Sequence, residues 1–179
     1  MLTHFIKKLS VGFDLMKIAI YPSNKIEAAY DVVCKIVSFL KKKNIEVYTE
    51  NGLAQKLGIN SISSFSENDL DFIISLGGDG TILRILHKEN HLNAPILGIN
   101  LGYLGFMADI PIEDMEASLQ ELIDGEYTVE NRMIIEGKTE NNFLYAANDL
   151  VIHRGQNHSL IELSLYIDNL YVNTFLADG

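Results

Sequence analysis

The sequence has little cysteine, little positive charge and no long apolar run. Its only cysteine, Cys34, cannot form an internal disulfide, which fits a reducing compartment such as the cytoplasm. Lysine and arginine number 14 against 24 aspartates and glutamates, a net charge of −10. This balance argues against nucleic-acid binding, which needs a basic face. No stretch approaches the roughly 20 apolar residues of a membrane span. We therefore expect neither nucleic acid nor a membrane as a partner.

What the chain does contain is enough apolar sequence for a core, since 47% of its 179 residues are hydrophobic. This length accommodates one domain or two small ones. Residues 1–15 are basic and apolar, but no small-residue cleavage site follows them. We interpret them as a leader or as a mis-assigned start, because Met16 directly precedes the first strong strand pattern.

Short apolar runs alternate with helical patterns over residues 16–126, which we interpret as an N-terminal α/β domain. The predicted strands are Lys17–Tyr21, Ile45–Tyr48, Phe72–Leu76 and Pro95–Ile99, and the predicted helices include 26–43, 53–57 and 112–123. Strand alternating with helix predicts a parallel sheet with right-handed crossovers. Asp124-Gly125 is expected to end the last of these helices.

Residues 127–179 change to an alternating apolar and polar pattern. It covers 127–130, 133–138, 160–167 and 170–175, with a hairpin turn predicted at Asp168-Asn169. We interpret this half as an incomplete antiparallel β-sandwich domain. Two or three hairpins leave open edges, so we expect a homo-oligomer, either a dimer or a tetramer.

The most informative stretch is D-F-I-I-S-L-G-G-D-G-T-I-L-R-I-L, from Asp71 to Leu86. It predicts a buried strand, a glycine turn and a helix from Thr81 onward. A helix N-terminus at the carboxyl edge of a sheet suits a phosphate group. Asp79 conflicts with an anion site unless it binds a metal or accepts a proton, so it indicates catalysis. The alternative is a turn aspartate that caps the helix beginning at Thr81.

A second glycine-rich segment, G-I-N-L-G-Y-L-G-F, runs from Gly98 to Phe106. Together with G-G-D-G-T, with A-N-D-L-V-I from Ala147 to Ile152, and with the final Asp178-Gly179, it resembles the NAD kinase family. The resemblance covers nearly all of residues 16–179. Lipid kinases for diacylglycerol and sphingosine share the G-G-D-G-T element, as 6-phosphofructokinases do more loosely. The Gly98–Phe106 segment is what favours NAD kinase.

The resemblance implies phosphoryl transfer from ATP, or from polyphosphate, to the 2′-hydroxyl of the adenosine ribose of NAD, giving NADP. It implies a requirement for Mg²⁺, and it makes Asp79 the general base or a metal-linked carboxylate. The phosphate-binding residues would be Gly77, Gly78, Gly80 and Thr81 in the glycine turn, where backbone N–H groups can reach the donor phosphates. No metal site built from protein side chains alone is predicted.

The NAD-binding residues implied by the resemblance are Phe106, Asn148, Asp149 and Asp178. Phe106 would offer an apolar face to a ring of the substrate, with an aromatic residue between the domains as the alternative. Asn148 and Asp149 suit ribose hydroxyls, although a simple turn between strands is possible there. Asp178 would approach the substrate from the second domain.

Two departures from the family pattern bear on activity. The motif at Asn148-Asp149 usually has glutamate in the second place, and the family continues past its Asp-Gly with T-P-T-G-S-T-A-Y and further strands. We therefore expect a truncated form that lacks much of the substrate pocket. Two other functions stay open: a lipid or sugar kinase that uses the same glycine loop, and a catalytically inactive nucleotide-binding or assembly module.

Overall fold

A computed structural model describes residues 15–24, 29–64, 70–89, 93–102, 105–156 and 159–179. The chain divides into two compact units, one that ends at Glu130 and one that runs from Asn131 to Gly179. The predicted leader, apart from Leu15, lies outside the described residues. Among the helices that are described, none is long and apolar enough to cross a membrane; α1, with 14 residues, extends from Ala29 to Lys42.

The first unit contains a six-stranded sheet in the order β3-β2-β1-β4-β5-β6, in which every pairing is parallel. Its strands are β1 (Lys17–Pro22), β2 (Glu46–Thr49), β3 (Asn60–Ser61), β4 (Phe72–Gly77), β5 (Ile96–Asn100) and β6 (Ile110–Pro111). This arrangement confirms the predicted parallel sheet. The two-residue strands β3 and β6, one at each edge, were not predicted.

Helices cover both faces of this sheet. Besides α1 they are α2 (Asn51–Leu57), α3 (Asp79–Lys88) and α4 (Met115–Asp124). Each face of the sheet has its own hydrophobic core, and alternate residues of β1 contribute to the two cores. Ile18 and Ile20 belong to the core that also contains residues of α1 and α4. Ala19 and Tyr21 belong to the core that contains Ile85 of α3. Burial on both faces explains why β1 is a continuous apolar run rather than an alternating one.

The second unit consists of two antiparallel hairpins, as the alternating pattern predicts. In the first, β7 (Ile135–Lys138) pairs with β8 (Phe143–Ala146); in the second, β9 (Ile161–Ile167) pairs with β10 (Leu170–Ala177). Asp168 and Asn169 have φ angles of 50° and 66°, which confirms the predicted tight turn. The unit exposes many large apolar side chains, including Val151 and Leu170.

The strand predicted over residues 127–130 is wrong. This segment has no regular secondary structure, and it leads out of α4 after Gly125, whose left-handed φ of 81° ends that helix as predicted. The Tyr127 ring instead packs edge-on against Phe72 with 5.1 Å between the ring centroids. Packing against the core of the first unit, rather than strand pairing, accounts for the apolar residue at this position.

Candidate active site

The candidate site lies at the carboxyl edge of the parallel sheet, where β1 and β4 are neighbours. Strands β1, β2 and β3 follow one another toward one edge of the sheet, and strands β4, β5 and β6 follow one another toward the other edge. The strand order therefore reverses between β1 and β4. The crevice at such a reversal is where open α/β sheets bind ligands. The backbone N–H of Ser23, just after β1, donates to the carbonyl of Leu76 in β4 at 2.6 Å. This bond closes the two strand ends against each other.

Gly77 makes this close approach possible. Its φ of 153° favours glycine, and a Cβ atom there would lie 3.0 Å from Cβ of Ser23 and 3.3 Å from Cβ of Thr81. By contrast, a Cβ atom at Gly78 or Gly80 would meet nothing within 4 Å. The backbone at these two positions is therefore open to an approaching group, which is the property required of a phosphate-binding turn.

Helix α3 begins at Asp79, two residues earlier than predicted, with Gly78 as its N-cap. The alternative in which Asp79 caps a helix that begins at Thr81 is therefore wrong. Asp79 lies in the first turn, where a negative charge interacts favourably with the helix dipole. Thr81 is buried, and its N–H donates to the carbonyl of Gly78 at 2.9 Å. This hydrogen bond closes the turn between β4 and α3.

The carboxylate of Asp79 joins the two glycine-rich segments. Its Oδ2 accepts a hydrogen bond from the backbone N–H of Phe106 at 2.9 Å, and its Oδ1 accepts from Met107 at 2.9 Å and from Ala108 at 3.0 Å. We refer to this carboxylate and these three N–H groups as the Asp79 clamp. Bonds from N–H groups to an ionised carboxylate are roughly twice as strong as neutral ones. The clamp therefore fixes the orientation of the acid.

Two residues of β5 contact the loop that follows this strand, which we call the second loop. At Gly98, a Cβ atom would lie 2.8 Å from both Cα of Ala108 and the carbonyl oxygen of Met107. The buried Asn100 side chain donates to the carbonyl of Ala108 at 3.1 Å and accepts from the N–H of Gly102 at 2.8 Å. Sequence reasoning assigned no role to Gly98 or Asn100, although both belong to the G-I-N-L-G-Y-L-G-F segment.

Phe106 combines a bonded backbone with a solvent-exposed ring. Its N–H belongs to the Asp79 clamp, while the residue as a whole is 87% exposed. The ring is therefore not part of the buried core of the first unit, and the alternative of an aromatic residue between the domains stays a prediction. An exposed aromatic ring beside a catalytic candidate is a surface on which a flat ring of a ligand could stack.

The other predicted NAD-binding residues belong to the second unit. Asn148 and Asp149 lie just after β8, and both are exposed. Asp178 follows β10 and is exposed, and its backbone carbonyl accepts from the N–H of Arg154 at 3.1 Å. The structure thus brings Gly77–Thr81 together with Phe106 in the first unit.

Three charged side chains, Glu50, Arg84 and Lys88, form ion pairs near the carboxyl end of β1. Arg84 of α3 donates to both carboxylate oxygens of Glu50 at 3.1 Å and to the carbonyl of Pro22 at 2.7 Å. Lys88 donates to Glu50 at 2.5 Å. Burial alone would raise the pKa of Glu50, but the hydrogen bonds from Lys88 and Arg84 outweigh burial and hold this pKa below its ordinary value.

A model of the ATP-NAD kinase N-terminal domain matches residues 18–127, which is more than half of the chain. The chain belongs to the ATP-NAD kinase family. The matched range includes the parallel sheet from Ile18 onward, the glycine turn and the Asp79 clamp. The resemblance to the NAD kinase family that the sequence motifs carry is therefore confirmed.

Individual members of the ATP-NAD kinase family extend this match into the second unit. The chain is 45% identical over 163 residues to an NAD kinase of Protochlamydia amoebophila, covering 90% of this chain and 58% of that protein. It is 34% identical over 173 residues to an NAD kinase of a Thermoanaerobacter species, covering 92% and 61%. The chain therefore spans about three fifths of the length of these relatives.

Two solved kinase structures share the fold. Yeast NADH kinase in complex with NADH has a TM-score of 0.76 at 23% identity, and the match covers 92% of this chain and 56% of that one. An NAD kinase from Archaeoglobus fulgidus in complex with ATP has a TM-score of 0.65 at 25% identity, covering 92% and 59%. Both comparisons support the predicted order of a parallel α/β sheet followed by antiparallel strands.

Proposed function

We propose that this chain carries the catalytic carboxylate and the donor-phosphate loop of an NAD kinase. The reaction is transfer of the γ-phosphate of ATP, or the terminal phosphate of polyphosphate, to the 2′-hydroxyl of the adenosine ribose of NAD. The Asp79 clamp is the observation that carries this proposal. It holds one carboxylate between an open glycine turn and a loop with an exposed aromatic ring.

In this proposal Asp79 is the general base. Its carboxylate accepts the proton of the ribose 2′-hydroxyl, and the oxygen attacks the γ-phosphorus of ATP. The bond between this phosphorus and the β–γ bridging oxygen breaks, and ADP leaves. The open backbone at Gly78 and Gly80 would receive the donor phosphates, because a helix N-terminus such as the start of α3 favours an anion. Gly77 and Thr81 would shape this turn, since the Thr81 N–H is bonded to the carbonyl of Gly78.

Mg²⁺ is part of the proposal because it would neutralise the negative charge of the donor phosphates. Within the described ranges, no group of three or more His, Cys, Asp or Glu side chains is arranged to hold a metal ion. Mg²⁺ in phosphate-transfer sites is commonly bound through one or two carboxylates and the substrate phosphates. With Asp79 as the carboxylate nearest the donor phosphates in this proposal, the ion would be bound mainly by the nucleotide.

The acceptor NAD would be bound by the residues that the family resemblance marks. Phe106 would stack on a ring of the substrate, since its ring is exposed beside the clamp. Asn148, Asp149 and Asp178 would bind ribose hydroxyls, which both donate and accept hydrogen bonds. Their exposure in the second unit leaves their side chains accessible to a ligand.

The test is an assay of the native protein, isolated from its source with its intact mass measured. We expect NADP to form from NAD when both ATP and Mg²⁺ are present. The same preparation should transfer no label from ATP to diacylglycerol, sphingosine or fructose 6-phosphate. Label on one of these acceptors instead of NAD would assign the glycine turn to a lipid or sugar kinase. Calorimetric binding of ATP or NAD without any NADP would indicate an inactive nucleotide-binding module.

We also propose that the protein is a cytoplasmic homo-oligomer, a dimer or a tetramer. The single cysteine supports the compartment, and the exposed apolar side chains of residues 131–179 support the assembly. We expect light scattering to give a mass of two or four times the intact chain mass. A monodisperse monomer at micromolar concentration would contradict the assembly.

A further inference from the structure

We propose that Gly105 is a positioning residue for Asp79, because only a residue without a side chain leaves space for the carboxylate in its clamped orientation. This inference rests on the proposed function for its kinetic consequences. The geometry that supports it is independent of that function. Gly105 directly precedes the three residues whose N–H groups form the Asp79 clamp.

A side chain at Gly105 would occupy the place of the carboxylate. A Cβ atom there would lie 2.6 Å from Cγ and 2.8 Å from Oδ2 of Asp79, and it would be closer still to Oδ1. Gly105 is not among the glycines with positive φ, so its backbone conformation is accessible to alanine. The requirement for glycine therefore comes from the contact with Asp79 and not from backbone strain.

The clash at Gly105 can be relieved without unfolding. The atoms that a methyl group would meet belong to the end of a short side chain, which can rotate about its χ angles. Rotation would separate the carboxylate from the N–H groups of Phe106, Met107 and Ala108. We therefore expect Gly105→Ala to keep the fold and to lose the orientation of Asp79.

The expected kinetic result for Gly105→Ala is a fall in kcat of about 100-fold, since misplacing a catalytic group by 1 Å has effects of this size. The KM for ATP should remain unchanged, because the three atoms nearest to a Cβ atom at Gly105 all belong to the Asp79 side chain and none belongs to Gly77 or Gly78. Gly102→Ala is the matched control: it lies in the same loop, and a Cβ atom there would meet no atom of the described residues within 4 Å. Its kcat should equal that of the wild type.

Amide hydrogen exchange reports on the hydrogen bonds of the Asp79 clamp whether or not the protein is active. We expect the N–H groups of residues 106–108 to exchange about 10-fold faster in Gly105→Ala and in Asp79→Ala than in the wild type or Gly102→Ala, since each loses the acceptor carboxylate. Unchanged exchange in Gly105→Ala would overturn the proposal. Because this result does not depend on NADP formation, it decides the role of Gly105 even if the proposed function fails.

A double-mutant cycle separates positioning from a general structural effect. If Gly105 acts through Asp79, adding Gly105→Ala to an Asp79→Ala protein should lower neither kcat nor the protection of residues 106–108 any further. If Gly105→Ala lowered kcat or protection as much in the Asp79→Ala protein as in the wild type, Gly105 would act independently of Asp79. That result would overturn the proposal.

Discussion

Asp79→Asn is expected to lower the kcat of NADP formation by about 10²–10⁴-fold, which is the usual contribution of a general base. Asparagine has the same shape as aspartate but cannot take the proton of the ribose hydroxyl. Its NH₂ group would also face one of the N–H donors of the Asp79 clamp, where two donors oppose each other. The measurement is steady-state kinetics with NAD varied at saturating ATP and Mg²⁺.

Asp71→Asn is the matched control for this substitution. Asp71 is an exposed aspartate of the same unit, and its carboxylate accepts a hydrogen bond from the backbone N–H of Lys17 at 2.8 Å. The same chemical change there should leave kcat within about threefold of the wild type, because Asp71 precedes the amino end of β4 whereas the glycine turn lies at its carboxyl end. An Asp79→Asn enzyme with wild-type kcat would remove Asp79 from the catalytic role.

Gly98→Ala is expected to reduce the free energy of unfolding by about 1–3 kcal/mol, the usual cost of inserting a methyl group into a well-packed site. The new methyl group would lie 2.8 Å from the Cα atom of Ala108 and the carbonyl oxygen of Met107. Both are backbone atoms, so no side-chain rotation can relieve the contact, and β5 and the second loop must move apart. Urea denaturation followed by circular dichroism measures the loss.

Gly52→Ala serves as the control for Gly98→Ala. Gly52 lies near the start of α2, and a Cβ atom there would meet nothing within 4 Å. Alanine in a helix is more stable than glycine by roughly 0.5–1 kcal/mol, so this variant should be slightly more stable than the wild type. Equal stability of Gly98→Ala and Gly52→Ala would show that the second loop does not press on β5.

Local patterns in the sequence predicted the elements whose residues carry their own signal. The buried run Phe72–Leu76 before a glycine pair is strand β4, and Gly125 ends α4 in a left-handed conformation. The polar pair Asp168-Asn169 forms the turn between β9 and β10. In each case the deciding interaction is short-range, so a window of a few residues contains the necessary information.

Tertiary interactions account for what the sequence did not predict. Strands β3 and β6 are two residues long and exist because a neighbouring strand offers hydrogen bonds. The Asp79 clamp joins residues 27–29 positions apart, and its donors are backbone N–H groups, which every residue except proline has. The motif therefore identified Asp79 as a candidate but gave no indication of its hydrogen-bond partners, nor of the space at Gly105.

The use of backbone donors in the Asp79 clamp has a consequence for evolutionary variation. Because the three bonds come from N–H groups, the clamp excludes proline at residues 106–108 but does not otherwise require a particular side chain there. The ring of Phe106 is exposed, so it too can be exchanged without removing a bond to the carboxylate. Under the proposed function, preference for one acceptor over another can thus change at this loop while the Asp79 carboxylate stays in place.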